Sequence, residues 1–139
     1  MAAFASSAEI ISKAQEIGAR LSLPPVVFAN IDQPNDFAAP FIEVDRAYHY
    51  VIRERDKELS RKSTMDIDEL LYWIFEGITS GLSSKYELDH RDETRDCRRV
   101  VFDRQLHLLG AIKPEWRMRC ADKFNEILAQ HPFRDSGPP

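Results

Sequence analysis

The feature that most constrains the fold is an apolar stripe between residues 67 and 82. Large aliphatic and aromatic side chains recur there at the spacing of one face of an α-helix. The stripe consists of Ile67, Leu70, Leu71, Ile74, Phe75, Ile78 and Leu82. Tyr72 and Trp73 flank it on either side, so burying them requires cover from more than one direction. We therefore predict that this helix is central to the fold.

A second helix is predicted from residue 92 to residue 109, and Arg98 is its most informative side chain. The helical spacing places Arg98 on the same face as Phe102 and Gln105, so it points toward the core. A guanidinium in a core stays charged and needs a carboxylate partner, for which we consider Glu54, Glu87 and Asp96. The sequence thus predicts a structural charge network that comprises Glu54, Glu87, Asp96, Arg98, Arg99 and Gln105.

Two further helices and a small sheet are predicted around this pair. Residues 7 to 21 form an amphipathic helix, and a last helix begins at Pro114 and stops before Pro132. Alternating side chains predict a strand pair over residues 41 to 54, and residues 58 to 62 return as a charged edge strand. Residues 26 to 28 allow one more short strand. The predicted class is α+β, with about four helices packed with a small three-stranded antiparallel sheet.

Length and charge narrow the possible functions. The 139 residues suit a single domain over residues 1 to 131, followed by a C-terminal tail over residues 132 to 139 that we expect to fray. The net charge is −4, with 12 acidic and 8 basic side chains in residues 1 to 70 and 11 of each thereafter. This distribution argues against a nucleic-acid-binding surface.

The compartment follows from what the chain lacks. No stretch reaches the length of a membrane span, and the first residues have no basic region of a signal peptide. Cys97 and Cys120 fall at stripe positions and are predicted to be small core residues, as suits a reducing compartment. We therefore expect a cytoplasmic protein without a membrane partner.

Enzyme chemistry has little support in the motifs. The histidines and cysteines show no metal-ligand spacing, and no serine or cysteine stands in a nucleophile motif. Carboxylates beside Arg98 and Arg99 would have a lowered pKa, which suits ion pairing better than general-base work near neutrality. We expect no metal, no cofactor and no catalytic residue.

Several short motifs are shared with one known family. They are IEVD at residues 42 to 45, YHYV at 48 to 51, ER at 54 and 55, DELLYW at 68 to 73 and YEL at 86 to 88, followed by Arg91, Asp96, Arg98, Arg99, Phe102 and Gln105. In these the chain resembles immunity protein family 63 of bacterial polymorphic toxin systems. It departs from the family pattern at Asp56, where glycine is usual in a tight turn. The resemblance implies a cytoplasmic protein that binds and neutralises a cognate toxin domain.

Two functions remain open at this point. The first is an immunity protein that blocks its toxin by occlusion; the second is a small ligand-binding protein or enzyme that uses Arg98, Gln105 and Glu54 as a pocket. An internally satisfied Arg98 favours the first function, and an Arg98 that faces a cavity with spare donors favours the second. For the first, the acidic excess predicts partner contacts from carboxylates in turns, edges and links. These are Asp56, Glu58, Asp89, Asp92 and Glu93.

Overall fold

The computed structural model describes residues 4 to 136, which fall into two compact units, one ending at Ile74 and the other beginning at Phe75. The elements in chain order are α1 (Ser7–Gly18), β1 (Phe41–Val44), β2 (Tyr48–Glu54), β3 (Lys57–Thr64), α2 (Ile67–Asp89), α3 (Cys97–Ile112) and α4 (Pro114–Gln130). The four helices and the three-stranded antiparallel sheet confirm the predicted α+β class. Residues 1 to 3 of the expected domain and residues 137 to 139 of the expected tail lie outside the described residues.

The first unit starts with α1, which has a well-formed N-terminus. The Ser6 hydroxyl accepts from the Glu9 amide, while the Glu9 carboxylate accepts from the Ser6 amide, so a capping box satisfies two free backbone donors. Ile10, Ala14 and Gly18 are buried on one side of the helix. The helix therefore buries a face that repeats every four residues, as an amphipathic helix must.

The segment after α1 differs from the prediction. Residues 26 to 28 do not form a strand but belong to a 3₁₀ turn, Pro25–Phe28, in which the Val27 amide donates to the Pro24 carbonyl. Proline favours this outcome because its fixed φ suits the first position of a helical turn. The turn carries Phe28 to a fully buried position.

The sheet is a meander with β2 in the centre. Phe41 pairs with Val51 on one side, and Tyr48 pairs with Thr64 on the other. The edge position of β3 confirms the prediction, and its side chains are mostly exposed. Arg55 and Asp56 form the turn between β2 and β3 with φ of 50° and 65°, the signature of a tight two-residue hairpin turn. The turn therefore closes although the usual glycine is absent.

The beginning of α2 completes the first unit. Leu70, Leu71 and Ile74 are buried, as the apolar stripe predicts. The Lys62 ammonium lies 4.7 Å from the centre of the Trp73 ring, so a strand side chain covers the flank of the helix.

The second unit consists of the rest of α2 together with α3 and α4. The rings of Phe75 and Trp116 stack with centroids 5.8 Å apart, and those of Phe102 and Phe124 stack at 3.9 Å. Cys120 is buried, which agrees with its prediction as a core residue. Cys97 is exposed, contrary to the prediction, because α3 begins at this residue and not at residue 92.

Two glycines allow a matched test of the packing between α1 and the buried Phe28 ring in the first unit. A Cβ on Gly18 would lie 2.5 Å from Cε2 of the buried Phe28 ring, whereas a Cβ on Gly81 in α2 would meet nothing within 4 Å. We expect Gly18→Ala to lower the free energy of unfolding by about 1 to 3 kcal/mol because it overpacks the core. Gly81→Ala should raise it by about 0.5 to 1 kcal/mol because alanine is the better helix former. Urea unfolding followed by circular dichroism measures both, and a stabilised Gly18→Ala variant would contradict the close contact with Phe28.

Candidate functional site

Asp96 both caps α3 and binds Arg98. One carboxylate oxygen accepts from the Arg98 amide at 3.0 Å, as an N-cap side chain does. The guanidinium also donates to both carboxylate oxygens, with Nη2 to Oδ2 at 2.8 Å and Nε to Oδ1 at 3.2 Å. The pKa of Asp96 is lowered, chiefly by the side-chain hydrogen bond from Arg98. Among the three predicted carboxylates, the partner of Arg98 is therefore Asp96.

Arg98 also holds residues 131 to 135, which we call the C-terminal segment. Its Nη1 donates to the His131 carbonyl and its Nη2 to the Pro132 carbonyl, each at 2.9 Å. The Arg134 amide donates to Asp96 at 2.9 Å. With 28% of its side chain exposed, Arg98 is covered by this segment and is not a core residue, so the predicted orientation is wrong. Pro132, Arg134 and Asp135 of the expected tail are bound by Arg98, Asp96 and Arg99 in this structure.

Arg99 and Asp135 form the second ion pair of the C-terminal segment. Their Nη2 and Oδ2 atoms lie 2.9 Å apart, and Asp135 also accepts from the Asp96 amide at 2.8 Å. The Arg99 guanidinium lies 4.2 Å from the centre of the Phe133 ring. The side-chain hydrogen bond from Arg99 is the main cause of the lowered pKa of Asp135. A lowered carboxylate pKa stabilises the fold above the ordinary aspartate range, and this contribution is lost as the pH falls through the folded-state pKa.

The other residues of the predicted charge network have separate partners. The buried Glu87 carboxylate lies 2.6 Å from Nε of Arg91. The buried Gln105 amide donates to the Glu76 carbonyl at 3.0 Å and to the Thr79 hydroxyl at 3.2 Å. Glu54 is exposed at the end of β2 in the first unit. Arg98 and Gln105 thus direct their donors to protein acceptors, which argues against the pocket alternative.

A groove with a volume of about 660 Å³ lies beside α3 in the second unit. We call it the cationic groove, because four arginines and two histidines line it together with a single carboxylate. The lining consists of Tyr86, His90, Arg95, Arg99, Val100, Asp103, Arg104, His107, Arg117 and Phe133. The equal numbers of acidic and basic residues in this half of the chain gave no sign of such a concentration.

Flat groups are stacked along one side of the groove. The Tyr86 ring stacks on the His90 ring at 4.1 Å, and the Arg104 guanidinium lies 4.4 Å from the centre of the same tyrosine ring. Within residues 4 to 136, neither Arg95 nor Arg104 forms an ion pair, and Arg117 makes only a long hydrogen bond of 3.4 Å to the Leu106 carbonyl. Guanidinium donors are therefore available in the groove. The four-residue spacing of Arg95, Arg99, Asp103 and His107 was the sequence signal that could have identified this face.

Of the acidic residues predicted to contact a partner, two lie on the hairpin between β2 and β3. Asp56 is exposed in the turn. Glu58 is exposed and accepts from Nη2 of Arg61 at 2.8 Å, and this hydrogen bond is the main cause of its lowered pKa. Arg61 also reaches Glu43 on β1 at 2.9 Å. Glu58 therefore takes part in a network on the sheet surface.

The other three predicted contact residues lie where α2 ends and the link to α3 begins. Asp89 pairs with Lys85 at 3.2 Å. Asp92 accepts from both the amide and the hydroxyl of Thr94, at 3.0 and 2.6 Å, and so shapes the link. Glu93 is exposed. All three carboxylates are accessible, although the first two also have local partners.

A Ser-His-Asp chain on the sheet has the residue types of an acyl-transfer site. His49 Nδ1 lies 2.6 Å from the Ser63 hydroxyl, and Nε2 lies 2.7 Å from Oδ1 of Asp45. However, His49 and Ser63 are paired in the register of β2 and β3, and the Asp45 carboxylate is 67% exposed and accepts from the Ala47 amide in a turn. These contacts tie the strands together, which is a structural role.

Between residues 4 and 136, no group of three or more histidine, cysteine, aspartate or glutamate side chains is placed to hold a metal ion. The helices of this same part of the chain include none with the length and apolarity needed to cross a membrane.

The comparison with protein families identifies a match for the larger part of the chain. The profile described as Immunity protein 63 matches residues 45–126, which is more than half of the chain and confirms the resemblance seen in the sequence. The matched range contains the capping pair of α3 and nearly the whole cationic groove, but not the C-terminal segment. No curated protein and no solved structure matches the chain significantly.

The role of Arg98 can be tested through the C-terminal segment. Arg98→Ala removes the donors to the His131 and Pro132 carbonyls, so the segment should open more often. We expect chymotrypsin to cleave after the half-buried Phe133 at least about tenfold faster than in the wild type, since charge-assisted hydrogen bonds are lost. Mass spectrometry of the released peptide measures the rate. Arg104→Ala is the control because it removes an arginine of α3 that lies over the Tyr86 ring, and equal rates in all three proteins would show that Arg98 does not hold the segment.

Proposed function

Because this chain belongs to the Immunity protein 63 family, we propose that it binds a cognate toxin domain in the bacterial cytoplasm and neutralises it by occlusion. The match over residues 45–126 is the observation that carries this proposal. Occlusion means that the immunity protein covers a functional surface of the toxin and performs no chemistry of its own. The proposed partner is a protein, with neither nucleic acid nor membrane required.

The internal hydrogen bonds of Arg98 and Gln105 support a binding role over a catalytic one. Arg98 and Gln105, which the alternative would place in a pocket, donate to Asp96 and to Thr79. A substrate would have to displace these hydrogen bonds before it could use the same donors. This costs free energy, because the buried or half-buried acceptors would lose their partners. Exposed charged groups such as Asp56 and Glu93 can meet a partner at a lower cost, because they are not buried.

We further propose that exposed carboxylates contribute to the encounter with the toxin. Asp56 and Glu58 offer negative charge on the hairpin, and Asp89, Asp92 and Glu93 offer it where α2 leads into α3. A toxin domain that acts on nucleic acid or nucleotides needs a basic substrate-binding surface, to which such groups are complementary. Charges at the rim of an interface mainly raise the association rate constant.

The proposal is tested with the toxin domain encoded beside this gene. Bacterial cells that produce the toxin domain should survive only when the immunity protein is produced with it, and the two proteins should purify together. We expect a dissociation constant on the order of nanomolar or below, as in known pairs of nuclease colicins with their immunity proteins. Continued toxicity together with separate elution of the two proteins would overturn the proposal, as would substrate turnover by the immunity protein alone.

Charge reversal tests the proposed role of the carboxylates. In a variant with Asp56→Lys, Asp89→Lys and Glu93→Lys, we expect the association rate constant to fall roughly tenfold and its salt dependence to flatten, with a smaller change in dissociation. Stopped-flow fluorescence at several ionic strengths measures these rates. The matched control reverses the exposed Glu16, Asp122 and Glu126, which changes the net charge equally. If both variants associate alike, the predicted positions have no special role.

A further inference from the structure

The cationic groove is a positively charged surface on a protein whose net charge is negative. The chain carries a net charge of −4, yet the groove brings together Arg95, Arg99, Arg104 and Arg117, and Asp103 is the only carboxylate that residues 4 to 136 contribute to its lining. Clustered guanidinium groups repel one another unless anions lie near them. Within residues 4 to 136, Arg99 forms an ion pair with Asp135, Arg95 lies near Asp92 and Asp135 without forming an ion pair, and Arg104 and Arg117 have no carboxylate partner.

The C-terminal segment shows how the edge of this groove binds a peptide. The backbone of this segment has no regular secondary structure, its Phe133 ring lies against the Arg99 guanidinium, and its Asp135 carboxylate pairs with the same guanidinium. An irregular peptide thus presents one aromatic ring and one carboxylate to α3. Beyond this contact the groove continues past arginines that have no such partner.

We propose that the cationic groove receives an acidic segment of the toxin domain, whose carboxylates pair with Arg95, Arg104 and Arg117. This inference rests on the proposed function and names the chemistry of one contact. The stacked Tyr86 and His90 rings give the segment an apolar surface for an aliphatic or aromatic side chain, and guanidinium groups bind carboxylates in a two-pronged geometry.

The groove suits a peptide better than a polyphosphate chain. Binding to nucleic acid depends on a high density of positive charge that releases counterions, and here Asp103 lies among the arginines of a protein that is negative overall. A peptide with a few separated carboxylates meets less repulsion from Asp103. Asp135 of the protein itself provides an example of such a carboxylate on α3.

The test compares two pairs of charge reversals in the full chain. Arg95→Glu with Arg117→Glu changes the groove at two exposed positions, and Lys13→Glu with Arg46→Glu makes the same change in charge at exposed positions elsewhere. We expect the groove variant to bind the purified toxin domain about a hundredfold or more weakly, mainly through faster dissociation, and the control to bind within a few-fold of the wild type. Unfolding curves and circular dichroism verify that both variants are folded.

Hydrogen exchange identifies the segment that occupies the groove. A toxin peptide protected in the wild-type complex and unprotected with the groove variant should contain at least two carboxylates. A neutral or basic peptide, or unchanged affinity of the groove variant, would overturn the inference while wild-type binding still supports the proposed function. If the wild type does not bind the toxin domain at all, the proposed function fails, and the inference fails with it.

A single-stranded oligonucleotide serves as the competing probe in the same assay. No binding to the wild-type protein agrees with a peptide site. Tight oligonucleotide binding that is lost in the groove variant, combined with unchanged toxin affinity, would show that the groove is a nucleic-acid site and would overturn the inference.

Discussion

The organisation of the second unit depends on the carboxylate of Asp96. The same group begins α3, orients Arg98 and accepts the Arg134 amide of the C-terminal segment. Each of these contacts strengthens the others, since a carboxylate with several donors stays ionised and a guanidinium with a fixed partner loses little further freedom in binding carbonyls. Loss of this one charge would therefore free the helix start and the segment together.

Because Asp96 binds Arg98, the two neighbouring arginines Arg98 and Arg99 on α3 have different roles. Arg98 is satisfied inside the protein by Asp96 and two carbonyls, while Arg99, one residue on, contributes to the wall of the cationic groove. A change of one residue turns a helix by about 100°, so adjacent side chains necessarily meet different surroundings. An arginine-rich helix can thus anchor its own fold with one face and offer charge to a partner with another.

The sequence predicted the elements whose signal is local. The apolar stripe of α2 and the alternation in β2 are repeated over many residues, and both elements are found where they were expected. The prediction placed the start of α3 too early because HRDETRD contains several residues that can cap a helix. Asp96 is the actual cap, and it is held in place by Arg98, which also binds the carbonyl of His131 far along the chain. The 3₁₀ turn at Pro25–Phe28 was missed because two adjacent valines favour a strand while proline favours a helical turn.

The candidate site was harder to predict than the helices and strands, because most of its contacts join residues that are far apart in the sequence. Asp96 was identified as a possible partner of Arg98 because the two are close in the chain, but the pairing of Arg99 with Asp135 spans 36 residues and leaves no periodic trace. The cationic groove requires side chains from α2, the link after it, α3, α4 and Phe133 to meet, and only the row from Arg95 to His107 has a regular spacing. The composition of residues 71 to 139 shows equal numbers of acidic and basic side chains, and only the packing of the three helices brings the arginines together.

The contact of Asp135 with the Asp96 amide also has a consequence for the order in which the second unit folds. This contact closes a loop of 39 residues that contains both α3 and α4. Closing so long a loop costs conformational entropy, and this cost is smaller once the two helices have packed against each other. We infer that the helical hairpin assembles first and that the C-terminal segment docks last. We expect the segment to be the first part of the second unit to detach when stability falls, so that the helix start at Asp96 opens while the aromatic core of α3 and α4 remains intact.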